Sequence, residues 1–212
     1  MTLPDSERLS IPGPAGRLEA LVETPPGGGT AGAFGVVCHP HPLYGGTLEN
    51  KVVYTLARAF LSCGAPVIRF NFRGVGASEG SYDEGRGETL DALAAIAYGQ
   101  SRWPAAALWL AGFSFGGAVA VRAAATALPR RLVLVAPGIT RVAMDGAPSP
   151  RCPWMLAQGD ADEVIEPAAV LRWAASQQTA PVLRTFPGVG HFFHGRLHEL
   201  REAVVQFLNQ AA

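Results

Sequence analysis

The chain has 212 residues, 49% of them hydrophobic, with 17 basic and 17 acidic side chains and a formal net charge of zero. That length and apolar content suit one sizeable core and exclude a disordered chain. Without a basic excess, neither nucleic acid nor an anionic membrane is expected as a partner, while a neutral surface leaves monomer and homodimer unresolved.

In chain order, Arg8 to Ile11 and Arg17 to Glu23 read as short strands joined by a Pro12-Gly13-Pro14 turn, and 25–32 is a Pro/Gly-rich loop. Phe34 to Cys38 is a buried strand. Thr47 to Cys63 has helical periodicity, with Val53, Leu56, Ala57, Phe60 and Leu61 on one face. Strands follow at Val67–Phe72, Leu108–Gly112, Leu132–Ala136, Trp154–Ala157 and Val182–Phe186. Helices are expected at Leu90–Gln100, Ala118–Ala125, Ala168–Ser176 and Leu197–Asn209. Alternation of continuous apolar strands with helices predicts an α/β fold: a mostly parallel sheet covered on both faces, with an antiparallel hairpin at the N-terminus. No repeat or long linker interrupts the chain, which reads as one domain, 1–212. Ligands of such sheets sit at the carboxyl ends of the strands. His39, His41, Arg73, Ser114, Asp160, Asp162 and His191 all fall there.

Cys38, Cys63 and Cys152 match no zinc or disulfide spacing and read as free thiols of a reducing compartment. Residues 1–8 lack a signal-peptide pattern, and no apolar run reaches bilayer length, so a cytoplasmic location is expected. No dinucleotide or Walker motif appears, and no cofactor is expected.

Gly112-Phe113-Ser114-Phe115-Gly116 lies between an apolar strand and a small-residue helix. A serine on such a strained turn stands clear of the sheet, and bulky side chains at 112 or 116 would strike the neighbouring strand or the new helix. A serine hydroxyl needs a base, and the base needs an orienting carboxylate. Gly159-Asp160-Ala161-Asp162 and Gly190-His191-Phe192 follow in order, each after a strand.

Together with Cys38–Thr47 and Arg69–Gly80, these segments resemble the α/β-hydrolase superfamily over nearly the whole chain, and more narrowly its small, cap-less bacterial members. The resemblance implies Ser114 as nucleophile and His191 as general base, then acid. It favours Asp162 as the orienting carboxylate, since the superfamily's residue ends a Gly-x-x-Asp; residue chemistry alone does not separate Asp162 from Asp160. It implies an oxyanion hole made by the Phe115 N–H and a second N–H from the loop after the Phe34–Cys38 strand. That loop reads His39-Pro40-His41-Pro42, where the superfamily usually has a His-Gly-x-Gly turn. The prolines have no N–H, which leaves His41, or Leu43 or Tyr44 if the loop bends differently.

Tyr44 and Phe192 are candidate substrate contacts. Phe113 and Phe193 read either as pocket walls or as packing, and Arg73 as support for its loop. His39 and His41 invite a metal reading with His191, His194 or His198, His194 and His198 being four apart on a helix face; a metal-free mechanism is already complete, so no metal is expected. The 137–153 connection is too short for a helical cap and predicts an irregular flap over an open cleft. The expected function is a serine hydrolase of short-chain carboxylic esters, acting on a small-molecule ester or thioester through an acyl-enzyme. A thioesterase or acyltransferase would use the same residues, and a non-catalytic binding protein on the same fold is the alternative from another class.

Overall fold

The alternating pattern folds, in the computed structural model, into one eight-stranded sheet; the structure describes residues 4–142, 144 and 149–210. The strands are β1 (Asp5–Gly13), β2 (Gly16–Thr24), β3 (Ala33–Cys38), β4 (Val67–Phe70), β5 (Ala107–Phe113), β6 (Arg131–Val135), β7 (Trp154–Gly159) and β8 (Val182–Phe186). The helices are α1 (Lys51–Ser62), α2 (Arg86–Arg102), α3 (Phe115–Ala127), α4 (Pro167–Ala175) and α5 (Leu197–Leu208). The sheet order is β1-β2-β4-β3-β5-β6-β7-β8. β1 and β2 form an antiparallel hairpin, β2 joins β4 antiparallel, and the six strands β3 to β8 run parallel.

Continuous apolar runs form the central strands because both faces are covered. In β3, Phe34, Val36 and Cys38 enter one core with Ile96 of α2, Val119 of α3 and Val170 of α4. Ala33 and Val37 enter the other, with Leu56 and Phe60 of α1 and Val204 of α5. Gly35 is needed there: a Cβ would lie 2.0 Å from the Phe60 ring. The strand order reverses around β3 and β5, which opens the crevice at their carboxyl ends.

Of the boundaries that differ from the sequence reading, those of the hairpin turn, α1 and α2 have clear local reasons. The hairpin closes at Gly13↔Gly16, so the turn is Pro14-Ala15, and Pro12 stays in β1, where a sheet edge tolerates its missing N–H. Helix α1 starts at Lys51 because the Asn50 side chain accepts from the Val52 and Val53 N–H groups. Helix α2 extends beyond 90–100 at both ends. Its N-terminal half hides two acids, Glu88 and Asp91, on the core side, which masks the apolar period. Glu88 accepts from the N–H groups of Asp83 and Gly85, both at 2.8 Å. Asp91 receives Arg73 through Nε at 3.0 Å, Nη2 at 2.8 Å and the backbone N–H at 3.0 Å. Arg73 therefore ties the loop after β4 to α2, as expected of a supporting residue. The flap expected at 137–153 falls partly outside the described residues; 137–142 forms irregular turns, with Ile139 bonding to Pro137 and Arg141 and Val142 to Gly138.

Removing one partner of a buried, bidentate pair leaves the other charge stranded. Asp91→Ala is expected to lower unfolding free energy by about 3–5 kcal/mol, read by urea denaturation. The thiols give a second check. Cys38 is fully buried, and burial followed by the nearby Asp91 charge pushes its pKa far up; Cys63 and Cys152 are half-buried and raised by burial as well. Titration with a chromogenic disulfide is expected to modify Cys63 and Cys152 slowly in the native protein, and Cys38 only after denaturation.

Candidate active site

Ser114 stands between β5 and α3 at φ 54°, ψ −121°, a conformation L-residues avoid. Its surroundings hold it there. The Ser114 N–H bonds to the Val135 carbonyl of β6 at 2.9 Å, and its carbonyl accepts from Gly117 at 2.9 Å and Gly138 at 2.8 Å. The flanking glycines are obligatory in this packing. A Cβ at 112 would lie 2.1 Å from the Gly116 oxygen, and one at 116 would lie 2.4 Å from the carbonyl oxygens of Cys38 and His39. The collisions foreseen for bulky side chains are therefore with the new helix at 112 and with the end of β3 at 116.

His191 follows β8 and reaches across β7 and β6 to the serine. Its Nε2 lies 3.0 Å from Ser114 Oγ and its Nδ1 lies 2.8 Å from Asp162 Oδ2. All three residues are buried, with exposures of 7% for Ser114, 8% for Asp162 and 2% for His191. With Nδ1–H donating to the carboxylate, the neutral ring leaves Nε2 free to accept the serine proton. The carboxylate is well supplied with donors: Oδ1 accepts from Val164 at 2.9 Å and Ile165 at 2.8 Å, and Oδ2 also accepts from Gln158 Nε2 at 3.0 Å. Burial pushes the Asp162 pKa up, but the hydrogen bonds from His191, Ile165 and Val164 outweigh it, and the carboxyl is held below its ordinary value.

Asp160 is spent elsewhere. Its Oδ1 accepts from the Gly188 N–H at 2.6 Å, bracing the loop that carries His191 without touching the ring. The His191 ring itself lies between Phe113, 4.9 Å away, and Phe192, 5.0 Å away. Glu163 adds an anchor that the sequence did not flag, accepting from the His191 N–H at 3.2 Å. Gln158 and Glu163 were legible only as neighbours of Asp162; nothing in their spacing marks them.

The loop after β3 carries the two early histidines. His39 is fully buried: Nε2 accepts from the Phe72 N–H at 3.0 Å, so Nδ1 carries the proton and donates to the Pro40 carbonyl at 2.6 Å. Burial drives its pKa down to about 3, and the ring is a neutral brace between the loops after β3 and β4. His41 is the N-cap of a single 3₁₀ turn, Pro42–Tyr44. Its Nδ1 accepts from Leu43 N–H at 3.2 Å, and its Nε2 faces the Tyr82 hydroxyl at 3.2 Å. The Tyr44 N–H is engaged with the His41 carbonyl at 3.1 Å. Leu43 and Tyr44 thus have their N–H groups occupied, and the prolines have none. Phe115 is the first residue of α3, so its N–H has no acceptor within the helix.

A cleft opens beside the serine, lined by His41, Tyr44, Phe115, Arg141, Val142 and Ile165 among others. Tyr44 is 83% exposed at its rim. Phe192, 41% exposed, stands outside this lining, beside His191, and Phe113 and Phe193 are buried packing residues. Arg141 and Val142 were missed in the sequence because they lie on the irregular connection after β6. His194 precedes α5 and is not aligned with His198, which pairs with Glu202 at 3.1 Å. Among the described residues no group of three or more His, Cys, Asp or Glu side chains could hold a metal, and no helix is long and apolar enough to cross a membrane.

Residues 36–150 match the family model of the alpha/beta hydrolase fold. The chain is 33% identical over 213 residues to an uncharacterized protein of Rickettsia prowazekii, covering 92% of this chain and 86% of the relative. It is similar in structure to an α/β serine hydrolase without lid from Xanthomonas campestris, with 40% identity, a TM-score of 0.91, and coverage of 96% of this chain and 94% of that one. An alpha-beta serine hydrolase homologue from Coxiella burnetii is also 40% identical, with a TM-score of 0.90 and coverage of 95% and 97%. The strained serine between β5 and α3, the ordered carboxylate and histidine after β7 and β8, and these similarities converge: the chain belongs to the alpha/beta hydrolase fold family.

Proposed function

We propose that the protein is a serine hydrolase that cleaves short-chain carboxylic esters. The observation that carries this reading is the continuous hydrogen-bonded line from Ser114 Oγ through His191 to Asp162, set at the mouth of a cleft. The similarity to serine hydrolases at 40% identity supports it. In the first step Ser114 Oγ attacks the ester carbonyl while its proton passes to His191 Nε2. Asp162 stabilises the resulting imidazolium and fixes its orientation without taking the proton. The Phe115 and His41 N–H groups receive the developing oxyanion; removing one such donor costs on the order of 2.7–4 kcal/mol of transition-state stabilisation. His191 then gives its proton to the leaving alcohol oxygen, and the acyl-enzyme is hydrolysed by a water that His191 deprotonates. An open cleft under a connection too short for a helical cap suits a short acyl group.

The test is turnover of p-nitrophenyl esters of graded acyl length, together with fluorophosphonate labelling. Wild type is expected to hydrolyse short esters and to label, and Ser114→Ala to do neither; a wild type that neither turns over nor labels would support a binding protein instead. Labelling with transfer to an added alcohol or thiol in preference to water would mark an acyltransferase. Asp162→Asn is expected to lower kcat by on the order of 10⁴, because the ring loses the acceptor that fixes its tautomer. Asp160→Asn should retain the wild-type rate. The depressed Asp162 pKa also has a sign: its contribution to folding is present above the ordinary value of 3.8 and is lost as pH falls through the lower folded value, which acid titration of Asp162→Asn against wild type would reveal.

A further inference from the structure

We infer that the preferred substrate is an ester whose acyl part ends in a carboxylate, read by Arg141. This rests on the serine-hydrolase reading above and names its substrate class. Among the described residues, Arg141 is the one formally charged side chain lining the cleft beside Ser114. The other groups there are apolar or neutral: Phe115, Val142, Val164, Ile165, Tyr44, and a His41 whose pKa is lowered by burial, with nearby Glu88 raising it and Arg141 lowering it. Among the described residues the guanidinium makes one hydrogen bond, from Nη2 to the Val164 carbonyl at 3.0 Å, and pairs with no carboxylate. A guanidinium has five N–H donors in a planar fork, so most of this one faces the cleft or solvent. Glu88 is not available to it, since both of its oxygens are bound to backbone N–H groups.

The direction of the ester follows from the proton path. His191 must reach the leaving oxygen, so the alcohol lies on its side, near Phe192. The cleft lined by Arg141 does not include His191, and it holds the acyl part. Val142, Val164 and Ile165 flank a methylene chain, and the arginine meets an anion at its end. A charged hydrogen bond of this kind discriminates more strongly than the added methylene contacts do.

The experiment compares kcat/KM for monoethyl glutarate and monoethyl adipate with ethyl pentanoate and ethyl hexanoate, in which a methyl replaces the carboxylate. Wild type is expected to favour the anionic esters by about tenfold or more, less at high salt. Arg141→Gln should abolish the preference, lowering kcat/KM for the anionic esters by about tenfold relative to the neutral ones, and Arg141→Glu should reverse it. Equal rates on both classes in wild type would overturn the inference and leave the hydrolase reading intact. So would a loss of both activities together in Arg141→Gln, which is what a mere staple to Val164 predicts. Competition by glutarate against fluorophosphonate labelling gives a readout independent of ethyl-ester turnover. Slowed labelling in wild type but not in Arg141→Gln supports the inference, and no slowing opposes it. A protein that neither labels nor hydrolyses any p-nitrophenyl ester would remove both readings.

Discussion

Helix α3 begins in contact with two strands at once, and glycine at 112 and 116 is what permits it. At 116 the backbone comes so close to the end of β3 that even a methyl group would overlap the carbonyls of Cys38 and His39. That approach brings the first N–H of α3 beside the loop carrying His41, and it turns Ser114 out of the sheet. The conformation costs on the order of 1–3 kcal/mol and persists because backbone hydrogen bonds to β6, α3 and the loop after β6 determine it. The strain is thus local, and the surrounding sheet holds it in place.

The remaining loops are positioned by buried polar links. His39 uses both ring nitrogens to join the loops after β3 and β4. Arg73 and Asp91 join the β4 loop to α2. Asp160 joins the loop after β7 to the one after β8, beside the Asp162–His191 contact. Each crest loop is therefore tied to its neighbour, and a cleft without a cap keeps its shape.

The fold was legible because the central strands are buried on both faces and read as uninterrupted apolar runs bounded by turn residues. Ser114 was legible from its flanking glycines, and His191 from its place after the last strand. Asp160 and Asp162 could not be separated by residue type; only the direction in which each side chain leaves its turn distinguishes the brace from the histidine's partner. Helix α2 was read short because Glu88 and Asp91 face inward, where an apolar period would show leucines. The His41 loop resisted because its outcome depends on which N–H groups the 3₁₀ turn consumes. Arg141 lies in an irregular segment with no period to read, and its meaning arises only from what it faces.

Ser114 and His191 stand on strands of unequal support. β5 is central and buried on both faces, whereas β8 is the last strand of the sheet, with Leu183, Arg184 and Thr185 exposed. Edge strands open at lower free energy than central ones. Opening at this margin breaks the contact between His191 and Ser114 while the serine remains on an intact sheet. The durability of the site at elevated temperature is therefore set by the pairing of β7 with the final strand, while the durability of the molecule is set by its centre.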